Sequence, residues 1–268
     1  MTDLAPQAAP QSAAESVADA GAGRSRWSAE EWRRRVELAA CYRLIARYGL
    51  TDLVYTHISA RVPGRHDQFL INGYGLLFEE ITASSLVKID LEGKPVEDSN
   101  WDVNPAGFTI HSAVHQVRHD AECVVHTHTV AGMAVAAQQE GLLPLNQMSM
   151  QFHGRLAYHD YEGIALDLDE RGRLQRDLGD QPCMILRNHG LLTVGSSVAE
   201  GFSLMYYLNK ACELQVAALA GGRPVTLPAP EVCAHAAAQF DVGTPTAGQL
   251  EWRALLRRLD REEPDYKS

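Results

Sequence analysis

The spacing of apolar residues changes period several times along the chain, and each change predicts a new element. Residues 1 to about 26 hold Ala, Gly, Ser, Gln and Pro with few large apolar side chains. Such a stretch cannot bury enough surface to offset the entropy of ordering it, so 1–26 is expected to be a disordered tail. Helical spacing starts at Ser28, where Ser28-Ala29-Glu30-Glu31 reads as a capping box before Trp32, Val36, Ala40 and Leu44, with Gly49 as the stop. From 53 to 100 the runs become short and strand-like, among them Phe69-Leu70-Ile71 and Leu86-Val87-Lys88-Ile89, with Glu92-Gly93 as a turn before Pro95-Val96. Antiparallel sheet is predicted there.

Helical spacing returns over 107–118 through Ile110, Ala113, Val114 and Val117. Cys123-Val124-Val125 then reads as a buried strand leading into a helix of small residues from Val130 to Gln138. A strand at Met184-Ile185-Leu186 is interrupted by Asn188-His189-Gly190 and resumes at Leu192-Thr193-Val194. Ser197 and Glu200 form a second capping-box pattern for a long helix that stops before Gly221-Gly222. The segment 223–268 is a C-terminal tail, and its Leu250, Trp252, Leu255, Leu256 and Leu259 form an amphipathic helix whose apolar face must dock on the body or on another subunit.

With 268 residues, 46% apolar and 22% charged, the chain has the composition of one large globular unit with tails. Its 24 Lys+Arg against 34 Asp+Glu give a net charge of −10, which disfavours nucleic acid or an anionic membrane surface as partner. A small molecule or another protein is the expected partner. The five cysteines are odd in number and scattered, as reduced core residues are, and nothing reads as a membrane span or leader. A cytoplasmic location is expected.

The chemistry gathers in the histidines. His126-Thr127-His128 directly follows an apolar strand run, and residues i and i+2 of a strand share a face, so both imidazoles can converge on one ion. His189 sits in a turn that can aim a third at the same point. Taken alone, a His-x-His pair fits a structural role about as well as a metal-binding one. His111 and His115 are four apart in the helical stretch, which marks His111 as a fourth ligand or proton relay, or leaves both on a solvated helix face.

The order Val62-Pro63, Phe69-Leu70-Ile71, Asn104 to His111, His126-Thr127-His128 and Asn188-His189-Gly190-Leu191 resembles the class II aldolase/adducin family over about residues 32–222. The resemblance implies that 27–222 form a three-layer α/β/α domain around a mixed sheet, with one divalent metal ion per chain (Zn, Mn, Fe or Co) held by His126, His128 and His189. It also implies a homo-oligomer, a tetramer with sites near subunit boundaries. Tyr158, His159 and Tyr161 lie where the family places residues that reach a neighbouring subunit's site, or else in a surface loop; Met148, Met150 and Phe152 read as core or interface.

Departures from the family pattern are informative. The aldolase Ser-Ser-Glu stretch, four residues before the histidine that matches His111, is Pro105-Ala106-Gly107 in this chain, so the proton-transferring glutamate is absent and the serines that bind phosphate are lost. Its Gly-Asn-Ile-Ser phosphate element is Thr56-His57-Ile58-Ser59, which makes His57 a cationic or hydrogen-bonding contact for a substrate carboxylate, or a structural histidine. With Cys212-Glu213-Leu214-Gln215, these residues look like the adducin-like branch of cytoskeletal head domains, decarboxylases and mononuclear-iron oxygenases.

The expected activity is a metal-dependent lyase, decarboxylase or retro-aldol in type, acting on a non-phosphorylated hydroxy, oxo or aromatic carboxylic acid, with His111, His57 and Tyr158 as candidate catalytic residues. An Fe(II) oxygenase on the same scaffold and a non-catalytic interaction module are the alternatives.

Overall fold

The computed structural model describes residues 26–268, so the expected tail lies outside the described residues apart from Arg26. Seven strands form one mixed sheet: β1 (His57–Arg61), β2 (Gln68–Ile71), β3 (Val87–Asp90), β4 (Cys123–Thr127), β5 (Leu156–His159), β6 (Cys183–Leu186) and β7 (Gly190–Gly195). Their order is β3-β2-β1-β4-β7-β6-β5. Every pairing is antiparallel except that of β5 with β6. The described helices are α1 (Ala29–Arg47), α2 (Pro105–Val117), α3 (Val130–Ala136), α4 (Gln147–Met150), α5 (Glu170–Leu178), α6 (Val198–Leu219), α7 (Pro230–Ala238) and α8 (Gln249–Glu262). None of them is long and apolar enough to cross a membrane.

The strand period of two sorts the side chains into two cores. Cys123 and Val125 of β4 pack with Leu38, Leu44, Leu204 and Leu208 of α1 and α6. Val124 packs with Ile110, Val114, Leu174 and Leu178 of α2 and α5 on the opposite face. Helices on both faces of a mixed sheet make the expected three-layer α/β/α architecture. All five cysteines are free and buried.

Several boundaries shift for local reasons. The Ser28 side chain accepts the Glu31 amide, but the Glu31 carboxylate pairs with the fully buried Arg35 and with Lys88, so only half of the first capping box forms. The Arg35 guanidinium and the Lys88 ammonium also meet Glu97, which fastens the β3 hairpin to α1. Glu200 likewise reaches past the Ser197 cap to the Ser196 amide and hydroxyl, and its other oxygen takes the Gly243 amide. The interrupted strand is a hairpin of β6 and β7, because Asn188 takes a left-handed conformation (φ 55) that reverses the chain within three residues.

The C-terminal tail docks on the body. Trp252 and Leu259 are buried, and Arg43 and Arg47 of α1 meet Glu262, Glu263 and Asp265. Leu250 is the exception, 84% exposed at the first turn of α8. The strand β5 and the helices α5 and α7 were not separately anticipated from the sequence.

One polar strip lies inside the molecule. On β1, Ile58 and Ala60 face α1, whereas His57, Ser59 and Arg61 lie buried beneath α2. His111 and His115 point from α2 into that strip and are 0% exposed, so the solvated-face alternative is overturned. Burial, then the nearby Arg61 and Arg34 charges, hold His115 at a pKa of about 3, against an ordinary 6.5.

That depressed value has a sign. Above the unfolded value of 6.5 the ring is neutral in both states; below it the unfolded chain gains a proton that the folded chain refuses down to about 3. Stability therefore falls with acid, by up to about 1.4 kcal/mol per pH unit from this one group. His115→Gln, which keeps a hydrogen-bonding group towards Ser59, should flatten the loss of urea-unfolding stability between neutral pH and about pH 4.5. Parallel pH profiles for the two proteins would rule out a buried neutral His115.

Candidate metal centre

The end of β4 and the β6–β7 hairpin meet at the edge of the sheet where β4 and β6 end and β1 and β7 begin. His126, paired across β1 with His57, projects on the α2 side of the sheet, opposite Thr127, whose hydroxyl meets Met205 of α6. His128 follows on the same side, just past the last residue of β4. His189 enters from the hairpin turn, held by its amide to the Leu186 carbonyl (3.0 Å) and by the Asn188 amide to the Ala136 carbonyl (3.1 Å). Gly190 is required at the turn's exit: a Cβ there would lie 2.5 Å from the Thr127 carbonyl oxygen and 3.1 Å from the His128 ring.

The imidazoles converge through their Nε2 atoms. His126 Nε2 lies 2.9 Å from His128 Nε2, which lies 3.0 Å from His189 Nε2. A candidate ligand atom from each of the three falls within 4.8 Å of the others. Hydrogen bonding fixes which nitrogen carries the proton. His126 Nδ1 donates to the Leu191 carbonyl (2.9 Å), and His128 Nδ1 donates to the Asp52 carboxylate (3.0 Å). In the neutral rings, both Nε2 atoms are then bare lone pairs facing each other. A cation between them satisfies what otherwise repels, so these residues fit a divalent ion. Burial, reinforced by the neighbouring imidazoles, holds His126 well below its ordinary pKa, and the same causes bring His189 to about 4. Both rings are neutral at physiological pH, as ligands must be.

Beside the triad runs a buried hydrogen-bonded chain. The His57 ring stacks on His126 with centroids 5.0 Å apart. His57 Nδ1 meets His111 Nε2 at 2.8 Å, His111 Nδ1 meets the Ser59 hydroxyl at 2.5 Å, and the hydroxyl meets His115 Nε2 at 2.8 Å. Burial, then the neighbouring imidazoles, pushes His57 well below its ordinary pKa, which corrects the expectation of a cationic contact. The His57 ring also explains Gly107: a Cβ there would come within 2.7 Å of His57 Cδ2. The His57 imidazole fills the space that a side chain at 107 would occupy.

Tyr158 does not join this assembly in the chain: its hydroxyl accepts the Leu142 amide (3.0 Å) beneath the Arg187 guanidinium. Tyr161 stands nearer, its ring 6.3 Å from that of His189 and half exposed. His159 is buried against Asp177 (2.6 Å), and Phe152 belongs to the core. At the start of α2, Asn104 caps the Ala106 amide and Pro105 has no amide to offer, so this helix end is poor in donors for an anion. Asp52 was missed from sequence, since an isolated acidic residue ahead of a strand carries no pattern.

Residues 36–216 match the family described as Class II Aldolase and Adducin N-terminal domain. The chain is 52% identical to an aldolase II superfamily protein from Pseudomonas syringae, covering 91% of this chain and 99% of that one with a TM-score of 0.87. An L-fuculose 1-phosphate aldolase from Glaciozyma antarctica is 26% identical, with a TM-score of 0.80 over 90% of this chain and 94% of the other. Alpha-adducin of Rattus norvegicus is 44% identical over 241 residues, which are 84% of this chain and 33% of that protein. By sequence and by fold, the chain belongs to the class II aldolase and adducin family.

Proposed function

We propose that this protein is a divalent-metal-dependent lyase that breaks a carbon–carbon bond, by decarboxylation or retro-aldol cleavage, in a non-phosphorylated hydroxy, oxo or aromatic carboxylic acid. The observation that carries this reading is the face-to-face approach of three imidazole Nε2 atoms, two of them with Nδ1 committed elsewhere. A surface serving only for protein contact has no use for that arrangement, so the site favours an enzyme over the non-catalytic reading that kinship with adducin supports. His126, His128 and His189 would hold the ion, which when bound supplies Lewis-acid polarisation of a carbonyl or carboxylate.

The chain's own residues would handle the proton. His57 Nδ1 is engaged by His111, so Nε2 is the atom left to meet a substrate. Each neutral imidazole and the Ser59 hydroxyl has one proton to give and can accept one, so the His57–His111–Ser59–His115 chain can point either way. In one direction His57 Nε2 is a bare acceptor and in the other it carries the proton; a proton taken up there leaves the chain singly charged until it is returned to the substrate, because His115 Nδ1 at the far end has no hydrogen-bond partner among the described residues. An open cavity of about 550 Å³ next to the hairpin turn is lined by Asp160, Tyr161, Arg187 and Asn188, with the Arg187 guanidinium donating to the Gln138 carbonyl and lying over Tyr158. Phosphate is disfavoured by the donor-poor start of α2, because an unpaired buried charge is costly.

Several large apolar side chains are exposed: Val130, two residues past His128, is 87%, Ile164 73% and Leu166 61% exposed. A second copy of the chain would cover them in the proposed tetramer.

Four outcomes follow from this reading. Wild-type protein should bind one zinc, manganese, iron or cobalt ion per chain, and His128→Ala or His189→Ala should abolish stoichiometric binding and turnover together; full occupancy in either variant refutes the ligand assignment. His111→Ala should lower kcat by about 100-fold while KM moves little, since it acts on the proton and not on binding. The substrate class is set by comparing fuculose and ribulose phosphates with hydroxy, oxo and aromatic acids, with and without oxygen: efficient cleavage of a sugar phosphate overturns the substrate claim, and turnover only in oxygen identifies an oxygenase. Sedimentation at micromolar concentration should report a tetramer, and a monomer would count against the covered apolar groups.

A further inference from the structure

His128 is the one triad member that the strand and the hairpin leave unsupported. His126 lies within β4 and is clamped by the Leu191 carbonyl, and His189 is set by the hairpin turn. His128 lies beyond Thr127, the last residue of β4. Its ring is oriented by Asp52, on the turn between α1 and β1, 76 residues away in sequence. That turn is closed by the Tyr55 amide on the Asp52 carbonyl (2.9 Å). Its next residue, Leu53, takes a left-handed conformation (φ 46) that disfavours a leucine. The Leu53 side chain is 67% exposed, so packing gives no return for the strain. What the turn achieves is delivery of a carboxylate to His128 Nδ1.

We infer that Asp52 is the positioning residue of this centre. It fixes the His128 tautomer with Nε2 bare and aims that atom at His126 and His189, and as an anion it makes the imidazole a stronger donor to a cation. The inference rests on the reading of the triad as a metal site, but the contact itself can be tested without metal.

The experiment uses full-length protein stripped with a chelator. Long-range ¹H–¹⁵N correlation of the imidazoles should show His128 as the single Nδ1–H tautomer in wild type and a mixture of tautomers in Asp52→Ala. Zinc affinity, measured by competition with a chromophoric chelator, should fall about 10- to 100-fold in Asp52→Ala. Asp52→Asn, whose amide oxygen still accepts the Nδ1 proton, should fall between the two and serves if the alanine variant fails to fold. Leu53→Asn, which tolerates the left-handed turn, should keep wild-type affinity. An unchanged tautomer together with wild-type affinity in Asp52→Ala overturns the inference. Wild-type protein that takes up no stoichiometric zinc overturns the metal reading, and the tautomer comparison still decides whether Asp52 orients His128.

Discussion

Lone pairs that face one another across about 3 Å are the constraint around which this molecule is organised. Two of the converging imidazoles cannot relieve the repulsion by rotating their protons inward, because Nδ1 of His126 is committed to a β7 carbonyl and Nδ1 of His128 to a carboxylate. The rest of the fold keeps these rings in place. The β4–β7 register sets Leu191 opposite Thr127, the left-handed Asn188 turns the hairpin, and the small residue at 190 lets the two strand ends touch.

Positions 57 and 107 are physically linked. An imidazole at 57 occupies the space into which any side chain at 107 would project. The imidazole at 57 is backed by two more buried imidazoles and a hydroxyl.

Much of this was legible in the sequence. His126 and His128 were visible as a pair on one strand face through the strand's period of two, the three histidines were joined as a set by the resemblance to the family, and helix starts at Ser28 and Ser197 were visible through their caps. The polar strip of β1 was not: alternation of Ile58 and Ala60 with His57, Ser59 and Arg61 ordinarily marks a strand with one wet face, and only the packing of α2 makes that face dry. Asp52 left no trace for a similar reason, since its role depends on a contact that no short-range pattern encodes. Glu31 and Glu200 misled in detail because tertiary partners, Arg35 and the Gly243 amide, outcompeted the local cap.

The order of strands bears on how the centre comes into being. The neighbours β1–β4 and β4–β7 join segments far apart in the chain, so His57 meets His126, and Leu191 meets Thr127, only once long loops have closed. Loop closure of this kind is a late and slow event in folding. In a zinc finger the ion gathers ligands along a short stretch and drives the collapse; in this protein no short stretch carries the full set, so the polypeptide must reach its native topology by its own hydrophobic packing before the ligands exist as a group. On the proposed reading of the triad as a metal site, loading follows folding rather than driving it.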